Sequence, residues 1–256
     1  SYSYGFRAPQ AFDEDLPIDN VGGTVSMIRL AEDLSVEKSQ SVSISADLYR
    51  NWGEWQGNFL VEGFFTDLDD VFALKEIGFE DGILIKERHN ESGARVFGGN
   101  LEGKIAYRNL FQLQLGLTAQ NSKYKEARSW SDDVEATRNM FRTPDFHGYF
   151  TASYNPVKKL TLALSGTYTG SMLIEHHAGM IDRNMTVQTS PFWDMGLKAA
   201  YDFRIYKSFN LQVNAGVQNI LNSFQKDFDS GADRDSGYMY GPTLPRCFYF
   251  GVKLNY

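Results

Sequence analysis

The sequence predicts an all-β fold, a transmembrane antiparallel β-barrel, and three observations predict it. Apolar and polar residues alternate through segments that exceed the usual strand length of soluble sheets. The polar positions carry Ser, Thr, Gln and Asn rather than alternating Lys and Glu, which suits a watery lumen with the apolar face turned to lipid. The connections alternate between short and long, which a soluble sandwich has no reason to do. The closing stretch RCFYFGVKLNY, Arg246 to Tyr256, shows the first pattern plainly. Phe248, Phe250, Val252, Leu254 and Tyr256 share one side, and Tyr249, Gly251, Lys253 and Asn255 share the other.

Ten strands are expected, with ends uncertain by a few residues. The first, near 1–8, opens directly in alternation with SYSYGFRAP, as if cut from something longer. The second, 37–51, sets Val42, Ile44, Ala46 and Leu48 against Ser41, Ser43, Ser45, Asp47 and Tyr49. Long strands follow at 57–76 and 83–108. The strand at 110–123 sets Phe111, Leu113, Leu115, Leu117 and Ala119 against Gln112, Gln114, Gly116, Thr118 and Gln120. After 143–154, the strand at 159–173 sets Leu160, Leu162, Leu164 and Tyr168 against Thr161, Ser165, Thr167 and Thr169. After 190–204, the strand at 208–220 sets Leu211, Val213, Ala215 and Val217 against Asn210, Gln212, Asn214, Gly216 and Gln218. The last spans 245–256, and no convincing helix lies between any of them.

Working back from the last strand, the connections run 221–244 long, 205–207 short, 174–189 long, 155–158 short and 124–142 long. Then come a tight Arg108-Asn109 turn, a moderate 77–82, a short 52–56 and a long 9–36. With the C-terminus on the periplasmic side, every long loop falls outside the cell. The terminal stretch is then a lipid-facing strand that closes a barrel.

Composition narrows the classes. A hydrophobic content of 42% with 14% aromatics and 23 Gly suits long strands with aromatic girdles better than a Leu-rich helical core. A net charge of -7 with no basic stripe argues against nucleic acid as a partner. The single cysteine, Cys247, excludes an internal disulfide framework and supplies no metal motif. No apolar stretch approaches the length of a membrane-crossing helix, and no signal peptide is present.

Four boxes in family order resemble the TonB-dependent outer-membrane receptors. Tyr4-Gly5-Phe6-Arg7-Ala8-Pro9, with Phe12 and the acidic Asp13-Glu14-Asp15, is similar to their FRAP box. Leu34-Ser35-Val36-Glu37-Lys38-Ser39 resembles the L-x-P-E-K-S segment, with Val36 where the family usually has Pro. Val217-Gln218-Asn219-Ile220-Leu221-Asn222-Ser223-Phe224 matches the N-[LI]-[FL]-[ND]-x-x-[FY] box, and Pro245-Arg246 leads into a similar closing strand. The resemblance implies a barrel of twenty-two strands around a plugged lumen. This chain, 1–256, is then its last ten strands, without the plug, the first strands and the TonB-box peptide. Alone it leaves two open sheet edges in lipid.

The resemblance also implies a role. Such receptors bind a scarce, large nutrient at the outer face and admit it when the TonB-ExbB-ExbD complex pulls on the plug. The expected cargo is cobalamin or an iron complex, siderophore or haem, and no catalytic residues are expected. A surface lipoprotein is a further candidate partner. Phe248, Phe250 and Tyr256 form the terminal strand that the outer-membrane assembly machinery recognises. The two other classes are a ten-stranded barrel protease and a passive porin, and both lack a plug.

Individual residues carry competing readings. Trp130, Tyr238 and Tyr240, on long loops, are the best ligand contacts, because aromatic side chains give large contact area at low entropic cost. Tyr238, Met239 and Tyr240 could equally form an interfacial girdle. His176 and His177 offer imidazoles to haem iron, against a solvated loop pair. Asp227, Asp229, Asp233 and Asp235 resemble a calcium-binding run without EF-hand spacing, against a solvated acidic loop. Asp67 and Asp69 with Asp145 and His147 are the general-base set that the protease reading would need. Trp52 and Trp55 read as girdle residues, and Cys247 as a small lumen or interface residue.

Overall fold

The structure is a computed structural model, and it describes residues 1–9, 26–206, 209–242 and 244–255. Phe12, the acidic 13–15 run and Tyr256 lie outside the described residues.

The strands are β1 (Tyr2–Arg7), β2 (Ser26–Leu30), β3 (Glu37–Trp52), β4 (Trp55–Asp69), β5 (Val71–Glu80), β6 (Ile83–Glu91), β7 (Ala94–Tyr107) and β8 (Phe111–Arg128). They continue as β9 (Thr137–Asn139), β10 (Phe146–Val157), β11 (Leu160–Thr169), β12 (Leu173–His176), β13 (Met185–Gln188), β14 (Phe192–Tyr206), β15 (Phe209–Gln218) and β16 (Cys247–Asn255). Among the described residues there is no helix. The main sheet runs β1-β3-β4-β7-β8-β10-β11-β14-β15-β16, with β9 added beside β8. All its neighbours are antiparallel, and β1 and β16 are its two edges, so the barrel wall is open. These ten main strands match the number the alternation predicts.

Register decides which side chains share a face. Phe250 lies opposite Ala215, which lies opposite Ala199, and the same row continues through Leu162, Tyr154 and Phe111. The outward face is therefore a continuous apolar belt. Phe248 and Phe250 are 80% and 69% exposed on it. Lys253 lies opposite Gln212 on the other face, where Gln212 donates to Asp202 at 3.0 Å. That polar face satisfies itself in short chains: Thr118 donates to Asn100 at 2.8 Å, and Asn100 donates to Glu62 at 2.9 Å. Faces this different pin the register, because a one-residue slip would reverse every side chain.

One rim of the sheet carries tight connections, at 53–54, 108–110 and 158–159. Trp52, Trp55 and Tyr107 gather there, with the Trp55 and Tyr107 rings 4.8 Å apart, as an aromatic girdle. The opposite rim carries every long connection.

Two expected strands, 57–76 and 83–108, are each divided. Alternation runs through them, but Asp70 has φ 55° and Gly93 has φ 108°. A left-handed residue breaks the ladder, and at Gly93 a side chain would also collide with the Leu68 carbonyl. The chain therefore leaves the wall after β4 and returns at β7. Between them, β5 and β6 form a hairpin that β2 joins, parallel to β6. The moderate connection at 77–82 is only the tip of this long projection, so the parity of the connections is complete. β2 is an element the sequence reading assigned to loop.

The rim is closed by caps. Asn219, in left-handed conformation and buried, donates to the carbonyls of Ser223 and Leu244 and accepts from Ser223 N–H. Asn222, also left-handed, accepts from Arg246 N–H at 2.9 Å. The two asparagines of the resembling box thus tie the start of the last long loop to its end. At the other edge Arg7 pairs with Glu37 at 3.6 Å and lies over the Phe72 ring, while Phe6 is exposed and Pro9 follows the strand.

The two faces predict opposite tolerance at adjacent positions. Leu115→Arg, on the lipid side, should cost about 2–4 kcal/mol and lower the amount of folded barrel, whereas Gln114→Arg, on the lumen side, should be accepted. Heat-modifiable gel mobility of the membrane-inserted protein reads both, and equal losses would contradict the assigned register.

Candidate functional site

Three long connections on one rim, 129–145, 170–191 and 219–246, meet in a single cluster, and the aromatic and histidine candidates lie in it. β12 and β13 form a short hairpin that carries His176 at its end. The His176 ring stacks on Tyr238 at 3.6 Å and 5° between planes, and its Nε2 lies 3.1 Å from both oxygens of Asp229. Both residues are buried, at 6% and 3% exposure. The remaining capacity of Asp229 is met by Asp235 N–H at 2.9 Å. Asp235 in turn accepts from His177 N–H and Gly237 N–H, each at 2.8 Å. The His177 ring meets Trp130 edge-on at 4.8 Å, and Trp130 Nε1 donates to Thr186 at 3.1 Å.

The last loop is tied to the first by Arg142, whose guanidinium donates to the Met239 carbonyl at 3.0 Å and to the Gly237 carbonyl. Its backbone N–H donates to Leu173 carbonyl at 2.7 Å. Tyr238 and Tyr240 both donate to Asp227, at 2.9 and 2.8 Å, and Gln225 brackets them through the Tyr238 carbonyl and Tyr240 N–H. Trp130, His177 and Tyr240 remain half-exposed on this assembly, whereas His176 and Tyr238 are its interior. Arg142, Gln225, Asn184 and Thr186 are parts that sequence reasoning missed. Their only sequence signal was polarity within a loop.

The acidic run is divided by this packing. Asp229 and Asp235 spend their oxygens on His176 and on backbone N–H groups, while Asp233 is exposed. Among the described residues no group of three His, Cys, Asp or Glu side chains is placed to hold a metal ion.

Geometry separates Asp67 and Asp69 from His147, so the pairing the protease reading would need does not form. Asp67 lies on the outward face, where Lys125 bridges it at 2.7 Å and Arg95 at 3.5 Å, and Lys125 also binds Asp69. His147 lies on the lumen face of β10. Three strand spacings, about 14 Å, also separate β4 from β10, so these groups cannot share a proton.

Below the loop cluster, on the lumen face, lies a cavity of about 650 Å³. Its wall includes Tyr149, Thr151, Ser165, Thr167, Asp194 and Gln218, and Gly241, Pro242, Leu244 and Pro245 border it from the last loop. The cavity was not read from the sequence. Its side chains come from polar-face positions of adjacent strands, and only their register reveals that they converge.

The cluster's ionisable groups set a pH window. Burial raises the Asp227 carboxyl, but hydrogen bonds from Tyr240 and Tyr238 outweigh it and hold the group below its ordinary value. Burial, then the bond to Asp227, pushes Tyr240 up to about 12 and Tyr238 further still. The depressed carboxyl contributes stability above about pH 3.9 and loses it as pH falls through the lower folded value. The raised tyrosines contribute below about pH 10 and lose that contribution as pH rises through their folded values. Protection from hydrogen exchange across 225–240, taken relative to the intrinsic rate at each pH, should therefore be greatest between those limits. Asp227→Asn should accelerate exchange several-fold at about pH 7 and much less at about pH 2.5. Equal acceleration at both would show that the carboxylate is not the anchor.

A family model, TonB dependent receptor-like, beta-barrel, matches residues 1–220. No curated protein matches the chain. Solved structures share its fold over 98% of its length. The ferric-catecholate import receptor Fiu from E. coli K12 has a TM-score of 0.61 at 18% identity, with 32% of that chain covered. A variant of the ferric enterobactin receptor PfeA from Pseudomonas aeruginosa has 0.59 at 16%, with 37% covered. The copper transporter OprC has 0.62 at 15%, with 36% covered. The chain thus spans about a third of the length of these solved relatives. With its two-faced antiparallel wall, its short-turn and long-loop rims, and a family match from residue 1 to residue 220, this chain belongs to the TonB dependent receptor-like β-barrel family.

Proposed function

We propose that this chain is part of the wall of a bacterial outer-membrane receptor that imports a scarce, large nutrient, an iron complex or cobalamin, with energy from TonB-ExbB-ExbD. The observation that carries the reading is the sheet itself. Its outward face is an apolar belt, its inner face is hydrogen-bonded and polar, and its long loops lock together over that inner face. Such a wall needs lipid outside and a solute path inside.

In this reading the chain supplies the last ten of twenty-two strands, and a plug elsewhere in the receptor gates the path. Within the substrate class, iron complexes have the support of fold relatives that are a ferric-catecholate import receptor and a ferric enterobactin receptor. Cobalamin rests on overall family resemblance alone. The half-exposed Trp130, His177 and Tyr240 are the contacts the loop cluster offers to a ligand, and His176 and Tyr238 hold them in place. Outer-membrane assembly machinery would recognise the terminal strand through Phe248 and Phe250.

The test is deletion of the gene in its host, followed by uptake of labelled ferric chelates and labelled cobalamin under limitation. Loss of high-affinity uptake of one of them, abolished equally by removing TonB, is the expected result. Uptake that persists without TonB would indicate a passive porin instead. In displayed receptor, Trp130→Ala with Tyr240→Ala should weaken binding of the imported compound at least about tenfold, roughly 1.4 kcal/mol. Unchanged binding would move recognition away from the loop cluster.

A further inference from the structure

The charges on the lumen face are sorted by height. Register places Glu102, Gly116, Tyr149, Thr167 and Asp194 in one row across five adjacent strands. The row above it, nearer the long loops, begins at Glu62 and passes through Asn100, Thr118, His147 and Thr169. The first row continues through Leu60 to Asp47 on β3, and the second to Ser45, so among the described strand residues the two rows hold four carboxylates and no lysine or arginine. Toward the short turns the cations begin below these rows, while at the rim above them Arg128 on β8 is paired with Glu91 and Arg142 is tied to the last loop. Lys104 lies in the next row, at the far side of the wall from Asp194, and Lys198 lies two rows below Asp194 on the same strand, about 13 Å toward the short turns.

The cavity opens in this acidic half. Asp194 is exposed to it, and Asp194, Thr151, Ser165, Thr167 and Gln218 have no side-chain hydrogen-bond partner among the described residues. Tyr149 presents its hydroxyl beside them, lying over Gly116, where any larger residue would collide with the ring. Its hydroxyl accepts from Gln114 at 3.2 Å. The bordering loop residues begin one residue after Tyr240, so the cavity sits directly beneath the loop cluster.

We infer that this wall selects cargo by charge, admitting a neutral or cationic hydroxyl- and amide-rich complex and rejecting a polyanionic one. This rests on the receptor reading above and narrows its substrate class. The unpartnered hydroxyls, one amide and one carboxylate can satisfy amide N–H and hydroxyl donors of a ligand. A polyanion meets like charge in a channel whose low-dielectric walls concentrate the field, with no guanidinium or ammonium in the two upper rows to offset it. Ferric trihydroxamates and cyanocobalamin are near neutral and rich in amides. Ferric tricatecholates carry several negative charges.

The experiment compares three probes, a neutral ferric trihydroxamate, cyanocobalamin and a ferric tricatecholate, on the intact receptor displayed in cells. Wild type, Asp194→Asn and Asp194→Lys are tested at equal display. Asp194 faces solvent and has no side-chain partner among the described residues, so neither variant removes a contact seen there. The expected result is that one of the two neutral probes binds at least about tenfold more tightly than the tricatecholate. Asp194→Lys should narrow that gap by about tenfold, with Asp194→Asn intermediate. Tricatecholate binding equal to or tighter than both neutral probes in wild type overturns the charge inference and leaves the receptor reading standing. A gap that does not respond to Asp194→Lys overturns it as well. If none of the three probes binds, the charge inference is overturned, and the receptor reading is decided separately by the uptake test with and without TonB.

Discussion

Everything in this wall depends on the backbone ladder between strands. In lipid there is no water to satisfy a peptide N–H or C=O, and each unpaired group costs several kcal/mol, so every strand crossing the membrane must be paired on both sides. Pairing at period two then leaves one choice of register if the apolar residues are to share a face. The β3–β4 ladder runs unbroken from Lys38 opposite Asp69 to Trp52 opposite Trp55, and β4–β7 continues the same rows. The apolar belt, the polar lumen and the height of each charged residue all follow from that ladder.

Where the chain leaves lipid, the ladder is interrupted by backbone conformation rather than by loss of alternation. Asp70 and Gly93 are left-handed and turn the chain out of the wall, Arg108 turns it at the opposite rim, and Asn219 and Asn222 cap the last connection. These residues act where the hydrogen-bond demand passes from strand partners to side chains. Asn219 shows this directly, since its amide replaces two strand partners with the carbonyls of Ser223 and Leu244.

Above the membrane the organising force changes from ladder to buried polar packing. The pair His176–Asp229 is removed from water, which is costly unless the remaining bonding capacity is met, and here it is met by stacking on Tyr238 and by the N–H of Asp235. The same arrangement links three connections into one rim, so they present one shaped surface instead of three independent loops. Beneath it the lumen wall offers hydroxyls, an amide and a carboxylate that have no side-chain partners among the described residues. In the proposed receptor, the interlocked rim and the unfilled polarity below it are the two features that would serve recognition.

The sequence by itself determined the strands of the wall, their two faces, the parity of the connections and the family, because a period-two pattern is local and is written in consecutive residues. Phe248 to Leu254 against Tyr249 to Lys253 needed no partner to be read. It did not reveal the break at Asp70 and Gly93, because alternation continues unchanged through a residue whose φ reverses. Nor did it reveal that Trp130, His176, Tyr238 and Arg142 share one cluster. Those contacts join residues 53 to 97 positions apart, and no local pattern encodes which loop will fall against which. Only the tertiary structure decided that His176 and Tyr238 face each other, and that Asp67 and His147 stand on opposite faces. It also set Asp194 in a polar cavity, since each of these outcomes depends on the register of strands distant in the chain.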